Sequence, residues 1–113
     1  MKRIIALIRP VMRDDVIAAL HLVEDFPGAV MTEIQGIRRG THQKIKEKNE
    51  LLTIGFRTYI RIEIICTDSQ VPILFEAIRA NAHTGKPGDG KIFVSSMESA
   101  LRISNGQTDE EAL

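Results

Sequence analysis

The chain has few of the residues that build metal sites and disulfides. Its 113 residues include one cysteine, Cys66, which cannot pair within the chain and closes an apolar run. We therefore expect Cys66 to be buried and inert. The three histidines, His21, His42 and His83, have no spacing that suggests a shared metal site, and there is no Cys-x-x-Cys or His-x-x-x-His pair. The sequence predicts neither a metal centre nor catalytic residues.

Aromatic residues and net charge are also scarce. The chain has no tryptophan, one tyrosine and four phenylalanines, and its 15 basic residues balance 15 acidic ones. Without a stacking platform or a positive field, nucleic-acid binding is not expected. No stretch approaches the roughly 20 apolar residues of a membrane span, and the N-terminus resembles a strand more than a signal peptide. We expect a single cytoplasmic domain over residues 1–113, with no membrane insertion.

Apolar periodicity predicts alternating strands and helices. Strands are expected at residues 4–8, 29–34, 58–66 and about 92–94, with a helix starting from Asp14 as N-cap and a second helix at 71–82. The order βαββαβ is that of an α+β, ferredoxin-like sandwich with both helices on one face of the sheet. The first and third strands are apolar on both faces, so self-association is expected to cover the other face.

A long segment without periodicity separates the second and third strands, at about residues 37–57. Unstructured segments of about 20 residues in a compact domain are usually functional or disordered. This one is basic, with Arg38, Arg39, Lys44, Lys46 and Lys48 against Glu47 alone between residues 38 and 48. It is either a solvated loop or a docking element for an acidic or phosphorylated partner.

A glycine-dense loop precedes the last strand, in the run Thr84-Gly85-Lys86-Pro87-Gly88-Asp89-Gly90-Lys91. Glycines let backbone N–H groups converge on an anion, and Lys91 adds a positive charge. The spacing is not that of a Walker A loop, because Ile92 follows the lysine. Two interpretations stay open at this point, a phosphate site and a plain Asp-Gly hairpin turn.

Several segments together resemble one family, the PII nitrogen-regulatory signalling proteins. They are the opening Met1-Lys2-Arg3-Ile4 to Arg9-Pro10, Asp14-Asp15-Val16, Thr32-Glu33-Ile34-Gln35-Gly36, Arg61-Ile62-Glu63-Ile64, the loop and strand from Thr84 to Val94, and Arg102-Ile103 ahead of Gly106. The resemblance implies a homotrimer that binds an adenine nucleotide (ATP, ADP or AMP) in clefts between subunits. It implies that the nucleotide-binding residues are Gly36, Arg38, Arg39, Thr84, Gly85, Gly88, Asp89, Gly90, Lys91 and Arg102.

The sequence departs from the PII pattern at four places. Gly40 stands where the pattern has the glutamine that helps to hold magnesium and 2-oxoglutarate, and Tyr59 where it has the lysine that pairs with 2-oxoglutarate. Leu51-Leu52-Thr53 replaces the uridylylated Tyr-Arg-Gly motif, which excludes that modification, and Ser104 replaces a second tail arginine. We expect a weak or absent 2-oxoglutarate response and a preference shifted toward ADP or AMP, with the role of magnesium left open.

The resemblance implies a non-enzymatic regulator whose long loop, through Lys44, Lys46 and Lys48, docks on a protein partner such as a membrane transporter or a nitrogen-metabolism enzyme. The tail from about residue 102 to 113 is expected to contribute Arg102. An alternative is a regulator or metal-responsive accessory protein of a heavy-metal efflux system. The Pro27-Gly28 junction and the run Ala82-His83-Thr84-Gly85 are similar to a PII-like subgroup of that kind.

Overall fold

The computed structural model describes residues 1–37 and 56–113. In these two ranges the chain forms four β-strands and two α-helices, together with 3-10 segments at Pro10–Met12, Asp68–Gln70 and Asp109–Ala112. The elements in chain order are β1 (Lys2–Ile8), α1 (Arg13–His21), β2 (Val30–Ile37), β3 (Phe56–Cys66), α2 (Val71–Ala82) and β4 (Gly90–Ser96).

The strands form one sheet in the order β2-β3-β1-β4, and every neighbouring pair is antiparallel. Alternate residues of β1 and β3 point to the helices, because successive side chains of a strand face opposite sides. The core between sheet and helices consists of Ile4, Ala6, Ile8, Val16, Leu20, Ile60, Ile62, Ile64, Cys66, Leu74, Ile78 and Ala82. This arrangement confirms the predicted ferredoxin-like α+β fold, and Cys66 is buried as expected, where burial raises the pKa of its thiol.

The predicted start of the first helix is wrong. Pro10 opens a 3-10 turn that continues directly into α1, so Met12, in helical conformation, occupies the N-cap position and no side chain caps the helix. Asp14 and Asp15 lie instead in the first turn, where their charges favour the positive end of the helix dipole. The second helix spans the predicted residues, preceded by a bond from the Thr67 N–H to the Gln70 side chain at 3.0 Å.

The two middle strands are longer than predicted. β2 continues to Ile37 and β3 begins at Phe56, with Gly36 paired to Arg57 and Ile37 paired to Phe56. Ladder hydrogen bonds hold these residues as strands although their sequence lacks apolar alternation. The segment between the strands therefore begins after residue 37. Of the predicted loop residues, Arg38, Arg39, Gly40, Lys44, Lys46 and Lys48 lie outside the described ranges, as do His42 and Leu51-Leu52-Thr53.

The sheet face away from the helices is partly apolar, which agrees with the sequence. On this open face, Val30 and Phe93 are exposed, while Ile5 and Leu7 are half-buried. A bond from the Met97 N–H to the Met1 carbonyl extends the ladder between β1 and β4 by one step. Within the C-terminal segment, an isolated bridge joins Leu101 to Thr108. Neither described helix is long and apolar enough to cross a membrane.

Candidate functional site

One carboxylate organises the glycine loop before β4. Asp89 accepts hydrogen bonds from the Thr84 N–H at 2.8 Å, from the Gly85 N–H at 3.0 Å and from the Thr84 hydroxyl. The Thr84 hydroxyl in turn accepts a bond from the Lys86 N–H at 3.2 Å. These bonds close residues 84–89 into a compact turn, so Asp89 shapes the loop from inside.

An arginine at the end of β1 ties this turn to the sheet. The Arg9 Nε donates to Asp89 at 2.9 Å, and its Nη2 donates to the Pro87 carbonyl at 2.7 Å. Bonds from the Thr84 hydroxyl and N–H, then from Arg9, hold the pKa of Asp89 well below its usual range. Asp89 is therefore charged at neutral pH, and its negative charge is paired with Arg9.

Two glycines in the loop have positive φ angles and close neighbours at the position that a Cβ would take. Gly90 has a φ of +106°, and a Cβ there would lie 1.7 Å from the Leu7 carbonyl oxygen. Gly88 has a φ of +94°, and a Cβ there would lie 1.6 Å from Nη1 of Arg57. Glycine is the residue that accepts both the positive φ and the close contact. The loop thus lies directly against the backbone of β1 and the side chain of Arg57.

A cavity of about 560 Å³ opens beside this loop, on the open face of the sheet. Lys86 and Lys91 supply positive charge to its wall, while Leu7, Ile34 and Phe93 supply apolar surface. Five of the predicted nucleotide-binding residues line it, namely Gly36, Gly88, Asp89, Gly90 and Lys91. They come from the end of β2, the glycine loop and the start of β4. Such a cavity can hold an anionic ligand that also has an apolar part.

Three of the other predicted site residues, Thr84, Gly85 and Arg102, do not line this cavity. Thr84 and Gly85 lie behind it, as donors to Asp89. Arg102 donates from Nη2 to the Leu113 carbonyl at 3.0 Å and lines a different cavity, with Val30 and Glu63 at the opposite end of the strands. Arg38 and Arg39 fall outside the described residues. One chain therefore assembles part of the predicted site.

Sequence reasoning missed Arg57 and Lys86. Lys86 lines the cavity, and the guanidinium of Arg57 lies against Gly88. The sequence pattern places Arg57 in the loop, because apolar alternation begins only after it. A signal is nevertheless present, since residues two apart in a strand share a face and Arg57 stands two residues before Tyr59, which lines the cavity.

No group of three or more His, Cys, Asp or Glu side chains within the described ranges could hold a metal ion.

A further cavity, of about 300 Å³, lies on the helix side of the same loop, lined by Phe75, Ile78 and Arg79 among others. Arg79 there is paired with Glu76 at 3.0 Å. The charge of Arg79 is therefore already balanced. Lys91 lines both cavities, but Lys86 lines only the open-face cavity, which makes that cavity the better anion site.

Comparison with known proteins places the chain in a family. The family model described as "Nitrogen regulatory protein P-II" matches residues 1–107. Three curated proteins of that name align over the full length of both chains. They come from Pasteurella multocida (40% identical), Rhizobium etli (40%) and Nostoc punctiforme (35%). With a full-length match of this similarity and a fold that agrees, the chain belongs to the P-II family of nitrogen-regulatory signal-transduction proteins.

Proposed function

We propose that this P-II protein binds an adenine nucleotide in the open-face cavity and, in response, controls a protein partner. The observation that supports the proposal is the glycine loop itself. Asp89 and Arg9 lock its shape, so Gly88, Gly90 and Lys91 all border one cavity. A preformed loop binds a ligand without a further cost of ordering its backbone.

The chemistry of the cavity suits a nucleotide. Lys86 and Lys91 face the phosphates, and Leu7, Ile34 and Phe93 offer apolar contact to the base. Since Asp89 is neutralised by Arg9, it does not repel the phosphates as an unpaired carboxylate would. In this proposal Thr84, Gly85 and Asp89 act by shaping the loop, whereas Gly88, Gly90 and Lys91 contact the ligand.

A homotrimer would complete the site. Arg102 lies at the other end of the strands within one chain, yet a neighbouring copy could bring its own Arg102 to the glycine loop. The apolar open face, with Val30 and Phe93 exposed, supplies the surface for such an association. The site then lies between subunits, and Arg38 and Arg39 remain predicted contributors.

The presence of Tyr59 supports a weak or absent response to 2-oxoglutarate. Tyr59 lines the cavity and brings no positive charge at neutral pH. The partner is proposed to contact the segment between β2 and β3, where Lys44, Lys46 and Lys48 stay a prediction. Whether that partner is a transporter, a nitrogen-metabolism enzyme or part of a heavy-metal efflux system does not change the nucleotide site.

Titration calorimetry with ATP, ADP and AMP, each with and without magnesium and 2-oxoglutarate, tests the proposal. Lys91→Ala should weaken binding by about 1.5–3 kcal/mol, because it removes one charge-assisted contact. Lys2→Ala is the matched control, since Lys2 lies at the far end of β1 and donates to Ser96 at 3.1 Å. Unchanged affinity in Lys91→Ala, with the fold verified by circular dichroism, would show that the loop is only a turn.

A further inference from the structure

Arg57 is a charged side chain with a donor that lacks a partner. It lies at the start of β3, paired with Gly36 across the ladder. Its Nη1 is buried and makes no hydrogen bond within the described part of the chain. Buried donors of charged groups are costly to leave unpaired, so such a group usually has a partner or binds one.

The guanidinium of Arg57 packs against Gly88 of the glycine loop. Measured from the position that a Cβ on Gly88 would take, Nη1 lies at 1.6 Å and Cζ at 2.8 Å. The side chain occupies the space that the absent Cβ leaves. The nearby carboxylate of Asp89 already accepts bonds from Thr84, Gly85 and Arg9. Arg57 forms no ion pair with any described carboxylate, which leaves its charge available to a ligand.

We propose that Arg57 is an additional phosphate-binding residue of the open-face cavity and contacts a phosphate of the nucleotide beside Gly88. The inference rests on the proposed nucleotide site and names a contact that it did not include. Arg57 lies on the same sheet face as Tyr59, whose own side chain is uncharged. Its guanidinium packs against Gly88, which lines the cavity, so a positive charge lies directly beside this wall.

The number of positively charged side chains at the site indicates which kind of anion it would bind. Arg57 joins Lys86 and Lys91 at one loop, and the only described carboxylate among the lining residues is neutralised by Arg9. Three uncompensated positive charges match a nucleoside di- or triphosphate better than a single carboxylate. The planar fork of the guanidinium can bind two oxygens of one phosphate at once.

The test compares the wild-type protein with Arg57→Gln and Arg57→Lys in calorimetric titrations with ATP, ADP, AMP and adenosine. Arg57→Gln should bind ATP and ADP at least ten-fold more weakly, with little change for adenosine, and Arg57→Lys should fall between. Arg13→Gln is the control, because Arg13 is exposed on α1 and its one ion pair among the described residues is with the adjacent Asp14. It should leave every affinity unchanged.

Any other result would contradict either the proposed function or the proposed role of Arg57. If the wild-type protein binds no nucleotide, the proposed function fails. If it binds and Arg57→Gln stays within two-fold for ADP, the inference about Arg57 fails alone. An equal loss for ADP and adenosine would mean that Arg57 only supports the loop. If light scattering shows that Arg57→Gln changes the mass of the assembly, Nη1 of Arg57 binds a neighbouring copy of the chain and not a phosphate. If Arg57→Gln abolishes only an effect of 2-oxoglutarate, Nη1 binds a carboxylate and not a phosphate.

Discussion

Replacing Gly90 by alanine should damage the sheet and the candidate site together. Gly90 is the first residue of β4 and pairs with Ile8 of β1. An added Cβ would lie 1.7 Å from the Leu7 carbonyl oxygen and 2.8 Å from its carbon. These are backbone atoms of a central strand, so no rotamer change can relieve the contact, and the start of β4 must move away from β1.

The expected loss of folding stability in Gly90→Ala has two parts. An alanine at a φ of +106° has an unfavourable backbone conformation, which costs about 1–3 kcal/mol. Moving the strand also weakens one or two ladder hydrogen bonds, at about 0.5–1.5 kcal/mol each. We therefore expect Gly90→Ala to lower the free energy of unfolding by about 1.5–6 kcal/mol.

The Gly28→Ala variant separates the conformational cost from the cost of the contact with β1. Gly28 has a φ of +93°, and nothing lies within 4 Å of the Cβ position, so this variant carries the conformational cost without the collision. Urea unfolding of both variants at one protein concentration gives the comparison. Gly90→Ala should lose at least about 1 kcal/mol more than Gly28→Ala and should also bind nucleotide more weakly. Equal losses in the two variants would refute the argument that contact with β1 fixes this glycine.

Two further predictions concern the loop carboxylate and the open face. Asp89→Asn should lower the melting temperature at pH 7, because it removes the charge that Arg9 and Thr84 bind. Since folding lowers the pKa of Asp89, its contribution is complete above about pH 4, the pKa of an unfolded aspartate, and is lost as the pH falls through the lower folded value. Thermal melts of both proteins should therefore converge in acid, and a constant difference from pH 7 to pH 2 would contradict the assignment. Phe93→Glu should dissociate the proposed trimer in light scattering, whereas Ile73→Glu, similarly exposed on α2, should not. An intact Phe93→Glu trimer would exclude the open face around Phe93 as the subunit interface.

The elements that follow a clean apolar period could be predicted from the sequence. The α2 helix runs over the predicted residues because Leu74, Ile78 and Ala82 recur on one face and Pro72 fits its first turn. Runs of isoleucine locate the strands β1 and β3, and five of these isoleucines lie in the core. These signals are local, so a single sequence is sufficient to find them.

Features that depend on pairing between distant residues could not be predicted in the same way. Gly36 and Arg57 are strand residues because they pair with each other, which neither residue type indicates. Asp89 reads as a ligand in a phosphate loop, but the structure shows both of its oxygens engaged within the chain. The pairing with Arg9 joins residues 80 positions apart. No local pattern reports such a contact.

The position of the cavity suggests how binding of the proposed nucleotide could affect binding of the proposed partner. Ile37, the last described residue of β2, lines the cavity, and Arg57, the second residue of β3, contacts the glycine loop. Residues 38–55 connect these two positions, so the described residues on either side of that segment lie at the candidate site. A ligand changes a conformational equilibrium only through contacts that differ between the states. A phosphate bound by Arg57, as proposed, would be such a contact, because it would restrain the start of β3 beside the segment proposed to meet the partner. Arg57→Gln should accordingly weaken the effect of nucleotide on partner binding more than it weakens partner binding without nucleotide.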